Sequence, residues 1–242
     1  MGRKFIPVRK AKRMKKSSRQ WLLRQINDPF VEKAKSEGWR CRAAFKIIEI
    51  DEKFKLFKKG KIVVDLGAAP GGWSQYAVTK VGEGRVVAID LLEMDGLPGV
   101  LSFQQDFLVP EASEKIIELL KTIERNKIGR CDVVMSDMAA NTTGDAGTDH
   151  LRIIDLLEGA LDLSAKILTN GGSFVGKIFQ GGSSDEIIKK LRQNFSIVKY
   201  FKPNSSRKDS TETYLVALGF KAKQEIQSKK ELPEKTPKEL LG

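Results

Sequence analysis

The sequence predicts an α/β fold whose centre is a doubly wound, mostly parallel sheet of seven strands. Short segments rich in β-branched residues alternate with longer segments of helical period, which is typical of right-handed β-α-β crossovers. Only residues 202–212 separate the last two predicted strands, and no helical pattern occurs there. We therefore expect the final strand to pair antiparallel with its neighbour.

Two helices are predicted ahead of the first strand. Asp28 and Pro29 fit a capping residue followed by proline in the first helical turn, and Gly38 fits the end of that helix. Residues 42–54 carry apolar side chains at a roughly helical period, which predicts the second helix.

The remaining elements follow from changes in the same pattern. Strands are predicted over residues 61–66, 85–91, 100–105, 131–136, 173–179, 197–201 and 213–220. Helices are predicted over residues 73–81, 111–125, 149–168 and 185–194. Asn170, Gly171 and Gly172 are expected to end the helix over residues 149–168.

The composition fits one globular domain with a full core. The chain has 242 residues, of which 40% are hydrophobic, and no apolar run approaches the ~18–20 residues of a membrane span. Its start lacks the apolar segment of a signal peptide. Two cysteines and one histidine give little support to a disulfide framework or a metal site. We expect a cytoplasmic protein without a metal ion, and a monomer as the default.

Positive charge is concentrated at the start of the chain. Residues 1–24 contain ten Lys or Arg and no acid, whereas the other 218 residues contain 33 basic and 31 acidic residues. This predicts a partly disordered arm over residues 1–27 that binds the RNA backbone, ahead of a domain over residues 28–220. A solvated tail and a mitochondrial transit peptide are the alternatives for the arm. Residues 221–242 are expected to form a charged tail.

The most specific segment is the glycine-rich turn that runs from Asp65 to Trp73, with the sequence DLGAAPGGW. Its three glycines allow a sharp turn and a close approach of the backbone to a ligand. The GxxxGG spacing differs from the dinucleotide fingerprint, and the segment lacks the lysine of a phosphate-binding loop. A tight turn that binds no ligand is the alternative.

Three acids are expected beside this turn, because ligands of such sheets bind beyond the carboxyl ends of the strands. Asp90 can bond the ribose hydroxyls of an adenosine, and Asp106 can accept a hydrogen bond from an adenine amino group. Taken alone, each also fits an ordinary strand end or a helix cap. Together with Asp137, they suit a positively charged ligand, which favours S-adenosylmethionine over NAD.

Four ionisable residues form a second candidate set, namely Lys46, Asp137, Lys177 and Glu212. Lys177 lies within an apolar strand, where an ammonium without a partner would be costly to bury. A salt-bridge cluster that joins a helix to the sheet is the structural alternative.

Five separated segments of the chain carry a family resemblance, and it extends from about Ser17 to Phe220. They are Arg42-Ala-Ala-Phe-Lys46, the turn from Asp65 to Tyr76, Ser136-Asp-Met-Ala, Val175-Gly-Lys-Ile-Phe-Gln-Gly181 and Glu212-Thr-Tyr-Leu-Val216. In this order they closely resemble the bacterial heat-shock ribosomal RNA large-subunit methyltransferase family. The chain departs from the family pattern at Ala140, where proline is usual, and just before Glu212, where the family tends to be basic.

The resemblance implies a function and a set of site residues. The fold would be that of a Rossmann-like class I methyltransferase, and the reaction would transfer methyl from S-adenosylmethionine to a uridine 2′-hydroxyl of 23S rRNA in the large ribosomal subunit. The expected catalytic residues are Lys46, Asp137, Lys177 and Glu212. The expected cofactor-binding residues are Gly71, Trp73, Asp90, Asp106 and Asp137.

The expected role of Lys177 is to accept or to steer the proton of the ribose hydroxyl. A positive charge on Lys46 would favour the neutral amine, whereas Asp137 and Glu212 would favour the ammonium, and the sequence does not decide between them. Arg207 and Lys208 are candidates for phosphate contacts. A non-catalytic RNA-binding or ribosome-assembly protein and an NAD-dependent oxidoreductase are the rival functions.

Overall fold

One seven-stranded sheet forms the centre of the computed structural model, which describes residues 16–139, 145–179, 185–207 and 210–222. The strands are β1 (Val63–Leu66), β2 (Val86–Asp90), β3 (Val100–Gln104), β4 (Cys131–Ser136), β5 (Leu168–Phe179), β6 (Phe195–Phe201) and β7 (Glu212–Phe220). Their order is β3-β2-β1-β4-β5-β7-β6, and β7 runs antiparallel to both of its neighbours. The predicted mostly parallel sheet with an antiparallel last strand is confirmed.

Seven helices are described, and they cover both faces of this sheet. They are α1 (Lys16–Asn27), α2 (Pro29–Ser36), α3 (Ala44–Phe54), α4 (Gly72–Val81), α5 (Pro110–Thr122), α6 (Ala146–Ile167) and α7 (Asp185–Asn194). As expected, the side chain of Asp28 caps α2 by accepting a hydrogen bond from the amide of Phe30 at 3.0 Å. None of the described helices is long and apolar enough to cross a lipid bilayer.

The core has two layers because successive strand residues point to opposite faces. Val63 packs with residues of α3 and α4, among them Ile47 and Ala77. Val64 belongs to the other layer, where α5, α6 and α7 cover the sheet. All four residues of β1 are buried, as expected for a parallel strand that is covered on both sides.

The prediction that Asn170, Gly171 and Gly172 end the long helix was wrong. Helix α6 ends at Ile167, and Leu168 already has the extended angles φ −71° and ψ 140°. Leu168 pairs with Cys131, whereas the next pair joins Ser173 to Val133, so the residues between Leu168 and Ser173 bulge out of the ladder. The glycines therefore form an irregularity at the start of β5. The apolar Leu168, which is fully buried, begins the strand.

The ends of the chain fall largely outside the described residues. Of the predicted arm, residues 16–27 form α1, and residues 1–15 are not described. Residues 223–242 of the predicted tail are likewise outside the described part.

Candidate active site

The glycine-rich turn joins β1 to α4 at the centre of the sheet, where the strand order reverses between β1 and β4. Gly67 has φ +74°, and a β-carbon there would lie 2.3 Å from Cγ of Met138. Gly71 has φ +102°, and a β-carbon there would lie 3.1 Å from Nη1 of Arg40. Glycine is required at both positions, because L side chains rarely adopt these angles and little space is available.

Arg40 connects the glycine-rich turn with the loop after β2 through hydrogen bonds. Its guanidinium donates to the carbonyl oxygens of Pro70 at 3.2 Å, Asp95 at 2.7 Å and Gly96 at 2.5 Å. These bonds connect the segment between α2 and α3 with both loops beside the cavity described next.

A cavity of about 580 Å³ opens beyond the carboxyl ends of β1, β2 and β4. Its wall includes Gly67 and Ala69 of the turn and the three predicted acids, Asp90, Asp106 and Asp137. The apolar part of the wall includes Ile89, Phe107, Leu108, Met138 and Leu156. This combination of an apolar wall and a few polar groups is typical of a small-molecule site.

Backbone amides orient two of these acids. Asp90 accepts hydrogen bonds from the amide of Ala69 through Oδ2 and from the amide of Leu92 through Oδ1, both at 2.8 Å. Asp106 accepts from the amide of Leu108 through Oδ1 at 2.9 Å. Asp90 therefore joins the end of β2 to the glycine-rich turn.

Gly71 and Trp73 lie behind this cavity, and neither is among the residues of its wall. Trp73 is buried, donates from Nε1 to the carbonyl oxygen of Ala43 at 2.9 Å and packs against Tyr214 with ring centroids 5.6 Å apart. Their predicted contact with a cofactor stays a prediction.

The four ionisable residues of the second set, which we call the tetrad, meet next to the cavity. Lys177 Nζ lies 3.0 Å from Asp137 Oδ1, and Lys46 Nζ lies 3.5 Å from Asp137 Oδ2. Lys46 Nζ also lies 2.9 Å from Glu212 Oε2. The sheet explains this convergence, because Lys177 and Glu212 lie on the paired strands β5 and β7, and Asp137 follows β4.

Charges within the tetrad shift the pKa values of Asp137 and Lys46. Burial opposes ionisation of Asp137, but the ammonium groups of Lys177 and Lys46 and hydrogen bonds from Tyr214 and Lys177 lower its pKa to about 2. Burial likewise opposes the ammonium of Lys46, but Asp137 and Glu212 together raise its pKa above the ordinary value. At neutral pH the tetrad therefore contains an ionised Asp137 and a positively charged Lys46.

Two hydroxyl groups that we did not predict complete this network. Tyr214 donates to Asp137 Oδ1 at 2.7 Å, and Ser206 donates to Glu212 Oε1 at 2.9 Å. Burial and the nearby carboxylates raise the pKa of Tyr214 well above its usual value, so the hydroxyl keeps its proton. Tyr214 could have been found, because residues two apart in a strand share a face and Glu212 was already a candidate. No pattern in the sequence indicated Ser206.

Asp65 is a further buried acid beside the site. Its Oδ2 accepts from the hydroxyl of Ser74 at 2.6 Å, whereas Oδ1 has no hydrogen-bond partner among the described residues. Burial, opposed by the bond from Ser74 and assisted by the charges of Asp137 and Asp90, raises the pKa of Asp65 to about 7.

Arg207 is paired within the protein. Its Nε donates to Asp28 Oδ2 at 3.2 Å, and this aspartate also pairs with Arg42. The predicted phosphate contact of Arg207 stays a prediction, and Lys208 lies outside the described residues.

Comparison with known proteins agrees with this site. The pattern that defines FtsJ-like methyltransferases matches residues 39–220. The chain is 51% identical over 220 residues to the ribosomal RNA large subunit methyltransferase E of Azorhizobium caulinodans, with 89% of each chain covered. It is 50% identical over 224 residues to the protein of the same name from Rickettsia bellii, covering 90% of this chain and 96% of that one.

A solved structure agrees with the fold. The ribosomal RNA methyltransferase from Plasmodium falciparum superposes with a TM-score of 0.66 and 28% sequence identity, over 76% of this chain and 100% of that one. The resemblance predicted from five segments is confirmed, and the NAD-dependent oxidoreductase is excluded by this match. The chain belongs to the FtsJ-like methyltransferase family.

Proposed function

We propose that the chain transfers a methyl group from S-adenosylmethionine to the ribose 2′-hydroxyl of a uridine in the 23S rRNA of the large ribosomal subunit. The observation that carries this proposal is that Asp137 belongs both to the cavity wall and to the tetrad. Its carboxylate forms part of the cavity wall and also accepts a hydrogen bond from Lys177 at 3.0 Å. A basic side chain is therefore one hydrogen bond away from the wall of the space in which a methyl donor would bind.

The cavity residues fit S-adenosylmethionine. A volume of about 580 Å³ lies within the roughly 300–1,000 Å³ of small-molecule sites. Asp90 and Asp106 would hold the adenosine, and the negative charge of the wall would favour a sulfonium ion. When bound, the cofactor supplies an activated methyl group. The expected contacts of Gly71 and Trp73 would lie on the side of α4.

Lys177 accepts the proton of the ribose hydroxyl or forms a hydrogen bond with its oxygen. Its Nζ donates to the carbonyl oxygen of Asp137 at 2.6 Å and to Oδ1 at 3.0 Å. A neutral amine has only two N–H groups, so both would be occupied and its lone pair would be free to accept the hydroxyl proton. The methyl group would pass from the sulfur of S-adenosylmethionine to the ribose oxygen, and S-adenosylhomocysteine would leave. An ammonium has a third N–H, which instead donates to that oxygen and supports its developing charge.

Lys46 and Glu212 fix the geometry of this proton transfer. Lys46 bridges Glu212 at 2.9 Å and Asp137 at 3.5 Å, so its positive charge attracts both carboxylates. The resulting network keeps the amine of Lys177 in one position. Attack on the methyl group must be in line with the departing sulfur, and such positioning supplies much of the rate enhancement.

The proposal also covers how the RNA substrate would be held. We propose that the basic arm over residues 1–27 binds the RNA backbone, while the domain over residues 28–220 acts as a monomer that contains the complete site. The names of the relatives support the large ribosomal subunit as substrate, and such an activity belongs in the cytoplasm.

Transfer of labelled methyl groups from S-adenosylmethionine tests the proposal. The substrates are large ribosomal subunits and free 23S rRNA from cells that lack the protein. A ribose 2′-methyl group protects the adjacent phosphodiester from alkaline cleavage, so the label must appear in an alkali-resistant dinucleotide that contains a methylated uridine. Label on a base, or binding to subunits without transfer, would contradict the proposal, and the latter would support the non-catalytic alternative.

A further inference from the structure

The loop before β7 places a serine hydroxyl on Glu212, one of the two carboxylates of the tetrad. Ser206 is buried, and its Oγ donates to Glu212 Oε1 at 2.9 Å. The other carboxylate oxygen, Oε2, binds Lys46 Nζ at 2.9 Å. Glu212 is therefore held from two sides, by the hydroxyl of Ser206 and by the amine of Lys46.

Helix α3 fixes this loop through backbone contacts just before Ser206. Glu49 accepts hydrogen bonds from the amide of Asn204 at 2.6 Å and from the amide of Ser205 at 2.8 Å. Arg42, which precedes α3, donates to the carbonyl oxygen of Ser205. The same helix carries Lys46, so one rigid element positions both partners of Glu212.

A buried ion pair fixes the loop just after Ser206. Asp28 Oδ2 lies 3.2 Å from Arg207 Nε and 3.0 Å from Arg42 Nε. The side chain of Asp28 is only 7% exposed, so these two pairs are screened far less than surface pairs. The backbone of Ser206 is thus held on both sides, which keeps its side chain within hydrogen-bond reach of Glu212.

We propose that Ser206 is a positioning residue for methyl transfer, and this inference rests on the proposed function. Its hydroxyl fixes the carboxylate of Glu212, and this carboxylate orients Lys46. Lys46 in turn contacts Asp137, which binds the amine of Lys177, so the position of that amine depends on Ser206. Ser206 is not among the residues that line the cavity, and its hydroxyl bonds the tetrad at Glu212, so we expect its effect to pass through Glu212.

The adjacent serine provides a matched control. Ser205 is also fully buried, but its Oγ has no hydrogen-bond partner among the described residues. The variants Ser206→Ala and Ser205→Ala therefore remove the same atom from neighbouring buried positions, and only the first removes a bond to the tetrad. Ser206→Thr keeps the hydroxyl.

Methyl transfer to large subunits tests this inference in the full-length protein, with thermal unfolding and S-adenosylhomocysteine binding measured for every variant. We expect Ser206→Ala to lower kcat by between about tenfold and 100-fold, with KM for S-adenosylmethionine, the Kd and the melting temperature close to those of Ser205→Ala. We expect Ser206→Thr to recover most of the rate and Ser205→Ala to match the wild type.

Three results would overturn the inference. They are a kcat of Ser206→Ala equal to that of Ser205→Ala, no recovery in Ser206→Thr, and a rate loss in Ser206→Ala that is matched by loss of cofactor binding or of folding. Failure of the proposed function is a different result, because the wild-type protein itself would then transfer no methyl group to the ribose.

Discussion

Lys177 and Asp137 are joined by two hydrogen bonds, one to the backbone carbonyl oxygen at 2.6 Å and one to the carboxylate at 3.0 Å. The backbone bond is independent of the rotamer of the aspartate side chain. The carboxylate bond links the same amine to the cavity wall. A lysine that is 7% exposed in an apolar strand is therefore satisfied by a residue that also belongs to the cavity wall.

Replacement of Lys177 distinguishes a role in methyl transfer from a role in cofactor binding. Lys177→Met keeps the length and apolar packing of the side chain but removes the amine, so we expect methyl transfer to fall by at least about 100-fold. Binding of S-adenosylhomocysteine, measured by calorimetry, should change little because Asp90 and Asp106 are untouched. Lys199→Met, on the exposed side of β6, is the control. Equal loss of binding and transfer would instead assign Lys177 a structural role.

A substitution at the expected adenosine end of the cavity should weaken cofactor binding and leave the rate of methyl transfer unchanged. Asp106→Asn keeps an oxygen that can accept from the amide of Leu108, but it removes the negative charge from the cavity wall. We expect the Kd for S-adenosylmethionine to rise by roughly tenfold, because a neutral acceptor retains only part of the about 1.5–3 kcal/mol that a hydrogen bond to a charged group contributes. The value of kcat at saturating cofactor should stay near that of the wild type.

The matched control for this variant is Glu118→Gln, which makes the same change of charge on an exposed position of α5. A similar increase in Kd for both variants would attribute the effect to net charge. An unchanged Kd for Asp106→Asn would remove Asp106 from the cofactor site.

The fold and the tetrad were predictable for different reasons. The strands were visible because buried β-branched runs such as residues 63–66 differ in period from the helices between them. The tetrad was predictable only through family resemblance, because Lys46 and Glu212 are 166 positions apart and no periodicity relates them. The structure adds the distances that convert four separate residues into one network.

The failures of prediction also have physical causes. Gly171 and Gly172 are compatible both with the end of a helix and with a β-bulge. In the structure they lie in a bulge, because the buried Leu168 already belongs to the strand. Ser206 escaped notice because a serine in a loop is common. Its importance depends on a contact with Glu212 that only the folded loop creates.

Buried Asp65 gives the protein a distinctive dependence of stability on pH. Its pKa of about 7 in the folded state exceeds the ~3.9 of an unfolded chain, so between these values the folded state holds the extra proton. The free energy of unfolding should therefore fall as pH rises from about 4 to 7, by at most on the order of 4 kcal/mol from this group. Asp65→Asn does not titrate, so its stability relative to the wild type should increase over the same range. Urea unfolding of both proteins without cofactor measures this difference, and a constant difference would contradict it.

The last prediction concerns the basic arm and the dependence of RNA binding on salt. Removal of residues 1–15 deletes seven Lys or Arg and no acid, whereas removal of residues 223–242 deletes five Lys and four Glu. Each phosphate contact contributes about 0.7–0.9 to the slope of log K against log salt concentration, so loss of seven basic residues should reduce the magnitude of that slope by as much as about 6. Removal of the nearly neutral tail should leave the slope unchanged, and melting temperatures should show both truncated proteins to be folded. Equal slopes for the full-length and arm-deleted proteins would place the RNA contacts on the folded domain, because counterions are released only where basic side chains meet phosphates.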